Sequence, residues 1–143
     1  MQTNLSGAIV AEAGSRENVD LVLQAIAAVG AGDAESFLGA FAADIDYRLI
    51  GSTPVSARGQ GIDGWTELVL RVGDFLSEPV KLDVSNIIAA GDYVVTEATG
   101  DAVTRTGKRY ANEYCLVWQL RDGKIVRFAE YCDTDLINTV LCR

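Results

Sequence analysis

The sequence predicts one small α+β domain, in which helices wrap a curved antiparallel sheet around a pocket. Helix, helix, strand and helix patterns come first and four strand patterns follow, with no linker, repeat or low-complexity block between them. Of the 143 residues, 49% are hydrophobic and 22% are charged, as in globular domains that bury their own core. We expect a flexible N-terminal arm over residues 1–14 and a single domain over residues 15–143.

Three helices are predicted from apolar residues that recur at helical spacing. The first covers residues 15–29 and starts at Ser15, which can serve as its N-cap. Asp33 can cap a second, short helix, and residues 62–76 form the third. The side chains expected to face the core are Val19, Val22, Leu23, Ile26 and Val29 in the first helix, Phe37, Leu38 and Phe41 in the second, and Trp65, Leu68, Val69, Val72 and Phe75 in the third.

Strands are predicted where apolar and polar residues alternate. Residues 45–49 form a half-buried strand, which a loop over residues 51–61 follows. Another strand covers residues 82–87. Gly91-Asp92 then makes a two-residue turn into a long strand over residues 93–103, because glycine tolerates a positive φ.

The last hairpin is the most informative segment, with strands over residues 112–120 and 124–132. Its two apolar faces coincide if a three-residue loop over residues 121–123 joins the strands. In that register Glu130 lies opposite Tyr114 on the buried face.

The buried face of this hairpin changes character along its length. It is apolar near the turn and polar at the far end, where Cys132 is expected opposite Asn112. Such a gradient is typical of a pocket that packing closes at one end. A short terminal helix over residues 133–141 follows, with Asp133 as its cap or, alternatively, as a catalytic acid.

Charge and composition exclude several classes of partner. The net charge is −8 and no run of Lys or Arg is present, so we expect no nucleic acid as partner. No apolar run reaches the ~18 residues of a membrane span, and residues 1–14 lack the features of a signal peptide. Cys115, Cys132 and Cys142 are odd in number and lack metal-ligand spacing, so we expect reduced thiols and a cytoplasmic protein.

The chain contains no histidine at all. Its absence excludes nucleophiles activated by histidine, histidine proton shuttles and most zinc or iron sites, so no metal is expected. No Gly-rich phosphate loop of either standard spacing is present. Any catalysis must therefore depend on the other polar side chains, the backbone and water.

Two stretches of sequence resemble a known family. They are GDAESFLGAFAADIDYRL and VVTEATGDAVTRTGKRYANEYCLVWQLRDGKIVRFAEYCD, of which RDGKIVRFAEYCD is the most specific part. Together with the order of elements, they resemble the SnoaL-like polyketide cyclase and limonene-epoxide hydrolase branch of the nuclear transport factor 2-like superfamily. The resemblance implies a cone-shaped sheet with a deep internal pocket, no cofactor and a homodimer.

The same resemblance implies two catalytic residues. The pocket carboxylate that cyclases and epoxide hydrolases carry on the last strand falls on Glu130, and the pocket tyrosine of the epoxide hydrolases falls on Tyr47. The epoxide hydrolases also carry an asparagine where this chain has Leu49, and an Arg-x-Asp on the long strand, where this chain offers no arginine. Steroid isomerases carry a base on the first strand that is absent here.

Neighbouring side chains complete the expected site. Desolvation would raise the pKa of Glu130 toward that of a general acid or base, unless Glu130 lies in water at the rim or pairs with a Lys or Arg. Tyr47 and Tyr114 would bind a substrate oxygen or simply pack in the core, and Asn112 would orient a water or end its strand. Glu97 would form a carboxylate pair with Glu130 if it faces the pocket, which the register leaves open. The expected substrate-binding residues are Tyr114, Asn112, Glu97, Phe128 and Leu116.

These residues lead to one principal hypothesis and two alternatives. The principal one is a cofactor-free acid–base enzyme of cyclase, isomerase, dehydratase or epoxide-hydrolase type, acting on a small hydrophobic molecule such as a polyketide or terpenoid. The first alternative is a non-catalytic domain that binds a small ligand or a partner. The second is a dimeric scaffold whose pocket its own side chains fill. The outward face of the last hairpin mixes apolar and polar residues, which suits a homodimer interface.

Overall fold

The computed structural model of the chain describes residues 4–143, which form an α+β fold around one curved, open, seven-stranded sheet. The strand order is β1-β4-β5-β6-β7-β2-β3, mostly antiparallel, with β1 joining β4 and β2 joining β7 in parallel. The strands are β1 (Asn4–Ala11), β2 (Phe41–Leu49), β3 (Ala57–Gln60), β4 (Lys81–Ala90), β5 (Tyr93–Val103), β6 (Arg109–Arg121) and β7 (Lys124–Cys132). The helices are α1 (Arg16–Gly30), α2 (Ala34–Gly39), α3 (Ile62–Asp74) and a terminal helix made of α4 (Thr134–Leu136) and a π-helical turn (Ile137–Leu141).

The N-terminal segment is a strand where we expected a flexible arm. Within residues 4–11 the backbone pairs with β4, Ile9 lies opposite Ile87, and Ile9 packs against the core. Pairing satisfies the backbone groups of β4 that would otherwise form an open edge of the sheet. Side-chain periodicity carries little information about such edge pairing, and residues 1–3 of the predicted arm lie outside the described residues.

The two N-terminal helices begin at the predicted positions. The carboxylate of Asp33 accepts a hydrogen bond from the amide of Ser36 at 3.0 Å, which confirms the predicted cap of α2. Ser15 precedes α1, but its side chain makes no capping hydrogen bond. Phe41 was expected in the second helix and instead starts β2, because α2 ends at Gly39.

Two details of the middle strands also differ from expectation. The predicted loop over residues 51–61 contains the short edge strand β3, in which Arg58 lies opposite Arg48 of β2. The turn at Gly91-Asp92 is confirmed, with a φ of 55° at the glycine. β5 pairs with β6 without interruption, which places Glu97 opposite Cys115, and the irregularity near Glu97 lies on β4, where Ser85 is an extra residue.

The β6–β7 hairpin has a two-residue turn, Asp122-Gly123, in place of the predicted three-residue loop. Both turn residues have positive φ, 52° and 77°, as a type I′ turn requires. Leu120 pairs with Ile125, and Val126 is then one extra residue on β7 that bulges out of the ladder. Because of this bulge, the apolar faces of β6 and β7 still coincide, which a two-residue turn without a bulge would prevent.

The predicted register of this hairpin is therefore wrong by two residues. Glu130 lies opposite Leu116, and Cys132 lies opposite Tyr114. Because side chains alternate with a period of two, a shift of two residues changes the partner but keeps Glu130 on the inner face.

The core divides into two apolar clusters. The larger one fills the space between α1, α3 and the sheet near the β6–β7 turn, and it contains an aromatic group in which the Trp118 and Phe128 ring centroids lie 4.8 Å apart. The smaller one joins the terminal helix to the far end of β6 through Ile137, Leu141 and Tyr110. Within the part of the chain that the structure describes, no helix has the length and apolarity needed to cross a membrane.

Candidate active site

A cavity of about 490 Å³ lies between the inner face of the sheet, α1, α3 and the terminal helix. Most of its wall is apolar, as expected for a small-molecule pocket. Among the predicted site residues, the structure brings four to this wall: Glu130, Tyr114, Leu116 and Phe128. A cavity of this size argues against the alternative in which the chain's own side chains fill the pocket.

Glu130 is the carboxylate on the inner wall. It lies on β7, between the buried side chain of Phe128 and the polar far end of the hairpin. Burial raises the pKa of its carboxyl from 4.5 to about 7. The side chain keeps some accessible surface, and this surface faces the cavity that Glu130 lines. Among the described residues, none donates a hydrogen bond to this carboxylate and no cation pairs with it.

Two tyrosines lie beside Glu130. Burial is the main cause that raises the pKa of Tyr110 to about 12 and the pKa of Tyr114 far above its usual range, and the charge of Glu130 adds to both effects. Both phenols are therefore protonated at neutral pH and can donate hydrogen bonds. Gly100 makes room for one of them, since a Cβ at that position would lie 2.7 Å from the Tyr114 ring.

Asn112 does not line the cavity but holds its far end together. Its amide Nδ2 donates to the Tyr110 hydroxyl at 2.7 Å and to the Asp133 carbonyl at 3.1 Å. Its Oδ1 accepts from the backbone amides of Glu113 and Asp133, at 2.8 and 3.1 Å. With its hydrogen-bonding groups already used, Asn112 fixes Tyr110 and the start of the terminal helix. Asp133 itself caps that helix by accepting from the amide of Asp135.

Besides Asn112, two other predicted site residues lie away from the cavity. The Tyr47 ring packs on Trp65 with centroids 5.3 Å apart, and its hydroxyl points toward Gly59 and Gly64, where a Cβ would come within 2.5 Å of it. Glu97 is exposed on the outer face of the sheet and accepts a hydrogen bond from Asn86. The structure therefore forms no carboxylate pair between Glu97 and Glu130.

Sequence reasoning missed three features of the site. Tyr110 is one, because its position follows only from the long pairing of β5 and β6 beyond Asn112. The second is Trp65, which lines the cavity and whose indole Nε1 is a buried donor without a partner among the described residues. The third is an acidic mouth formed by Asp33, Asp74 and Glu78.

The arrangement provides the groups for proton transfer in an apolar environment. A carboxyl with a pKa of about 7 can both accept and release a proton at neutral pH. The neighbouring phenols can donate hydrogen bonds to an oxygen that gains negative charge. The described residues contain no group of three or more metal-ligating side chains, and Cys115, Cys132 and Cys142 are free thiols there.

Comparison with proteins of known structure supports the fold. An NTF2-like protein of unknown function from Burkholderia pseudomallei superposes with a TM-score of 0.80 at 19% identity, covering 89% of this chain and 98% of that one. A protein assigned as a SnoaL-like polyketide cyclase from Jannaschia sp. gives 0.74 at 17% identity, with 88% and 92% covered. An LEH-like epoxide hydrolase of M. tuberculosis gives 0.70 at 22% identity, with 84% and 85% covered.

Sequence comparison identifies the family. No functionally curated protein matches the chain in sequence. The sequence profile of the SnoaL-like domain matches residues 22–128, which is most of the chain. The match includes β2, α3, β4, β5, β6 and the first part of β7, and it ends two residues before Glu130. The chain therefore belongs to the SnoaL-like domain family and has the NTF2-like fold, as the sequence resemblance implied.

Proposed function

We propose that this protein is a cofactor-free acid–base enzyme that acts on a small hydrophobic molecule of polyketide or terpenoid type. The observation that carries the proposal is Glu130, a desolvated carboxyl with a raised pKa on the wall of an apolar cavity. Ionisable groups of this kind, inside a pocket, are frequent at catalytic sites. Cyclisation, isomerisation, dehydration and epoxide opening all need such a group.

In the proposed mechanism Glu130 moves the proton. As a carboxylate it removes a proton from a carbon next to a carbonyl group, and as the acid it returns that proton to another atom of the substrate. Tyr114, with Tyr110 beside it, donates a hydrogen bond to the substrate oxygen that becomes negative. Asn112 keeps the Tyr110 hydroxyl in place through the 2.7 Å hydrogen bond.

Proton exchange on a simple ketone tests this proposal without knowledge of the natural substrate. The probe is 2-tetralone, a neutral apolar ketone, incubated with the protein in D₂O while NMR follows deuterium entry next to the carbonyl. The wild-type chain should accelerate the exchange, and Glu130→Gln should lower the rate by roughly 10²- to 10⁴-fold, the usual contribution of a general base. Glu113→Gln is the matched control, since it removes the same charge from an exposed position on the neighbouring strand.

If wild type and Glu130→Gln exchange 2-tetralone at the same rate while both remain folded, Glu130 is not a proton-transfer group. Tyr114→Phe adds a second check, because loss of one oxyanion donor lowers catalysis by roughly 10²-fold or more.

The alternative function is ligand binding without turnover. Among the residues that the structure describes, the cavity holds no second deep carboxylate, since Glu97 faces outward, and Tyr47 lies away from it; both observations favour this alternative. A chain that binds neutral apolar probes but exchanges no protons on them would support this alternative.

We also propose a homodimer formed through the outer face of the sheet. Tyr131 and Tyr93 keep 38% and 42% of their surface exposed there, so this face offers apolar surface that a second copy of the chain can bury. Light scattering at micromolar concentration should report twice the mass of 15.3 kDa. A monomeric mass over the whole concentration range would contradict the dimer.

A further inference from the structure

The charged side chains that line the cavity in the described structure are all negative. Its wall carries four carboxylates, Glu130 inside and Asp33, Asp74 and Glu78 at the mouth. Within the described part of the chain, no Lys or Arg side chain lines the cavity. Arg105 approaches the mouth from outside, where its Nε donates to the backbone carbonyl of Asp74. An anionic ligand would therefore find carboxylates and no cation on the described wall of the cavity itself.

The carboxylate of Glu130 lacks a hydrogen-bond donor or a cation as partner within the described residues. The titratable groups that face it are the phenols of Tyr110 and Tyr114 and the thiol of Cys132. None of these carries positive charge. A buried carboxylate without a donor or cation is costly, so a ligand that brings either one gains the energy that the protein itself does not supply.

We infer that the cavity selects an apolar ligand that carries a protonated amine, with the ammonium group on the Glu130 carboxylate and the hydrocarbon body against Leu116 and Phe128. Carboxylate-bearing analogues are rejected. This inference rests on the site of the proposed function and gives the charge class of a ligand that competes with the neutral substrate for Glu130, because a carboxylate paired with an ammonium group is a weaker base. The unpartnered indole N–H of Trp65 lines the same cavity, but as a neutral donor it can bind an acceptor atom of a neutral or a charged ligand, which leaves Glu130 as the ionisable group inside the cavity that sets the charge preference.

Three ligands with one hydrocarbon body test the charge preference. They are 1-adamantanemethylamine, 1-adamantanemethanol and 1-adamantaneacetic acid. Binding is followed by tryptophan fluorescence, because Trp65 and Trp118 are the two tryptophans of the chain and both line the cavity. At pH 8 the amine should bind about tenfold or more tightly than the alcohol, as a charge-assisted hydrogen bond provides, and the acid should bind most weakly.

The pH dependence of binding and the effect of replacing Glu130 show which group causes the preference for the amine. Glu130 is ionised above a pKa of about 7, so the advantage of the amine should shrink at pH 5.5. Glu130→Gln should bind amine and alcohol with equal affinity, whereas Glu113→Gln should keep the wild-type ratio. The ratio should persist in 0.5 M NaCl, because salt screens the exposed mouth far more than a buried pair.

Two results overturn the inference. One is an amine that binds no better than the alcohol at pH 8, and the other is a preference that survives Glu130→Gln or disappears in salt, which would place it at the mouth. The ketone exchange experiment contains no amine, so the two hypotheses fail separately. Proton exchange without amine preference removes this inference alone, and amine preference without proton exchange leaves an amine-binding domain.

Discussion

The two ends of the β6–β7 hairpin share the same strands and the same inner face but differ in what they do. At the turn end Leu120 and Ile125 are about 1% exposed and pair directly. At the far end Leu116 lies opposite Glu130, whose carboxyl borders an open cavity and has its pKa raised by burial. Packing at the turn end therefore stabilises the fold, whereas the far end holds a desolvated carboxyl beside a cavity at a cost in stability.

The largest expected effect lies in the packed core near the turn end. Ile45 of β2 is 0% exposed and does not border the cavity, so Ile45→Ala should lower the free energy of unfolding by about 2–5 kcal/mol. Leu116→Ala removes a similar side chain from the cavity wall and should cost less, because its surroundings are already incompletely filled. Urea unfolding monitored by circular dichroism measures both. If the two variants lose equal free energy of unfolding, the two ends of the hairpin do not differ in packing.

The next effect concerns the charge at the far end. The pKa of Glu130 is about 7 in the folded chain against 4.5 as its ordinary value, so the folded state binds more protons than the unfolded state between these two pH values. Stability should therefore fall as pH rises from 4.5 to 7, by about 3 kcal/mol in total. Glu130→Gln lacks this penalty, so it should be more stable than wild type at pH 8 and similar to it at pH 4.5.

Urea unfolding at the two pH values provides the check, again with Glu113→Gln as the control for net charge. If Glu130→Gln and wild type keep the same difference in stability at pH 4.5 and pH 8, the carboxyl is not desolvated and the contrast between the two ends is lost.

Asn112 provides a smaller test, at the boundary between the cavity wall and the terminal helix. Asn112→Ala leaves the Tyr110 hydroxyl and both backbone groups of Asp133 without their partner, which should cost about 2 kcal/mol. Hydrogen exchange should accelerate in residues 134–141, since the helix start is no longer fixed. Asn86→Ala, which loses one exposed hydrogen bond to Glu97, should change little. Unchanged protection of the terminal helix in Asn112→Ala would contradict the assigned role.

The sequence was sufficient for the order of the elements from α1 onward, except for the short strand β3, and for the inner face of the hairpin. Alternation of side chains fixes which residues face inward, and a shift by two residues does not alter this, so Glu130 was correctly expected inside. The exact partner of Glu130 was not predictable in the same way. It depends on the bulge at Val126, which is a property of backbone pairing and leaves no periodic signal.

Contacts between distant segments explain why Tyr47 and Glu97 were predicted in the site but lie away from the cavity. Tyr47 alternates correctly on β2 and is buried, yet α3 and β3 cover its hydroxyl through Gly59 and Gly64, a contact between distant segments that no local pattern reports. The facing of Glu97 needed the register of β5 against β6, and the sequence allowed more than one. Long-range packing, rather than local propensity, decided both positions.

The smallest effect tests the turn itself. Gly123 has a φ of 77°, a conformation that side chains with a Cβ adopt only with strain, so Gly123→Ala should lower stability by about 1 kcal/mol. A Cβ there meets no neighbouring atom, so the backbone conformation alone causes the loss. Gly39→Ala is the matched control, because its surroundings are also open and its φ is not positive. Equal stability of the two variants would indicate a different turn.

The most direct test of the central claim is the pKa of Glu130, measured by NMR of ¹³C-labelled glutamate carboxyl groups over a pH series. The signal absent from Glu130→Gln assigns the resonance. A midpoint near 7 is the predicted result, and it would establish a desolvated carboxyl able to exchange protons at neutral pH. A midpoint near the ordinary value of 4.5 would show that water or a partner stabilises the charge, and it would contradict both the acid–base mechanism and the unmet need for a cationic ligand.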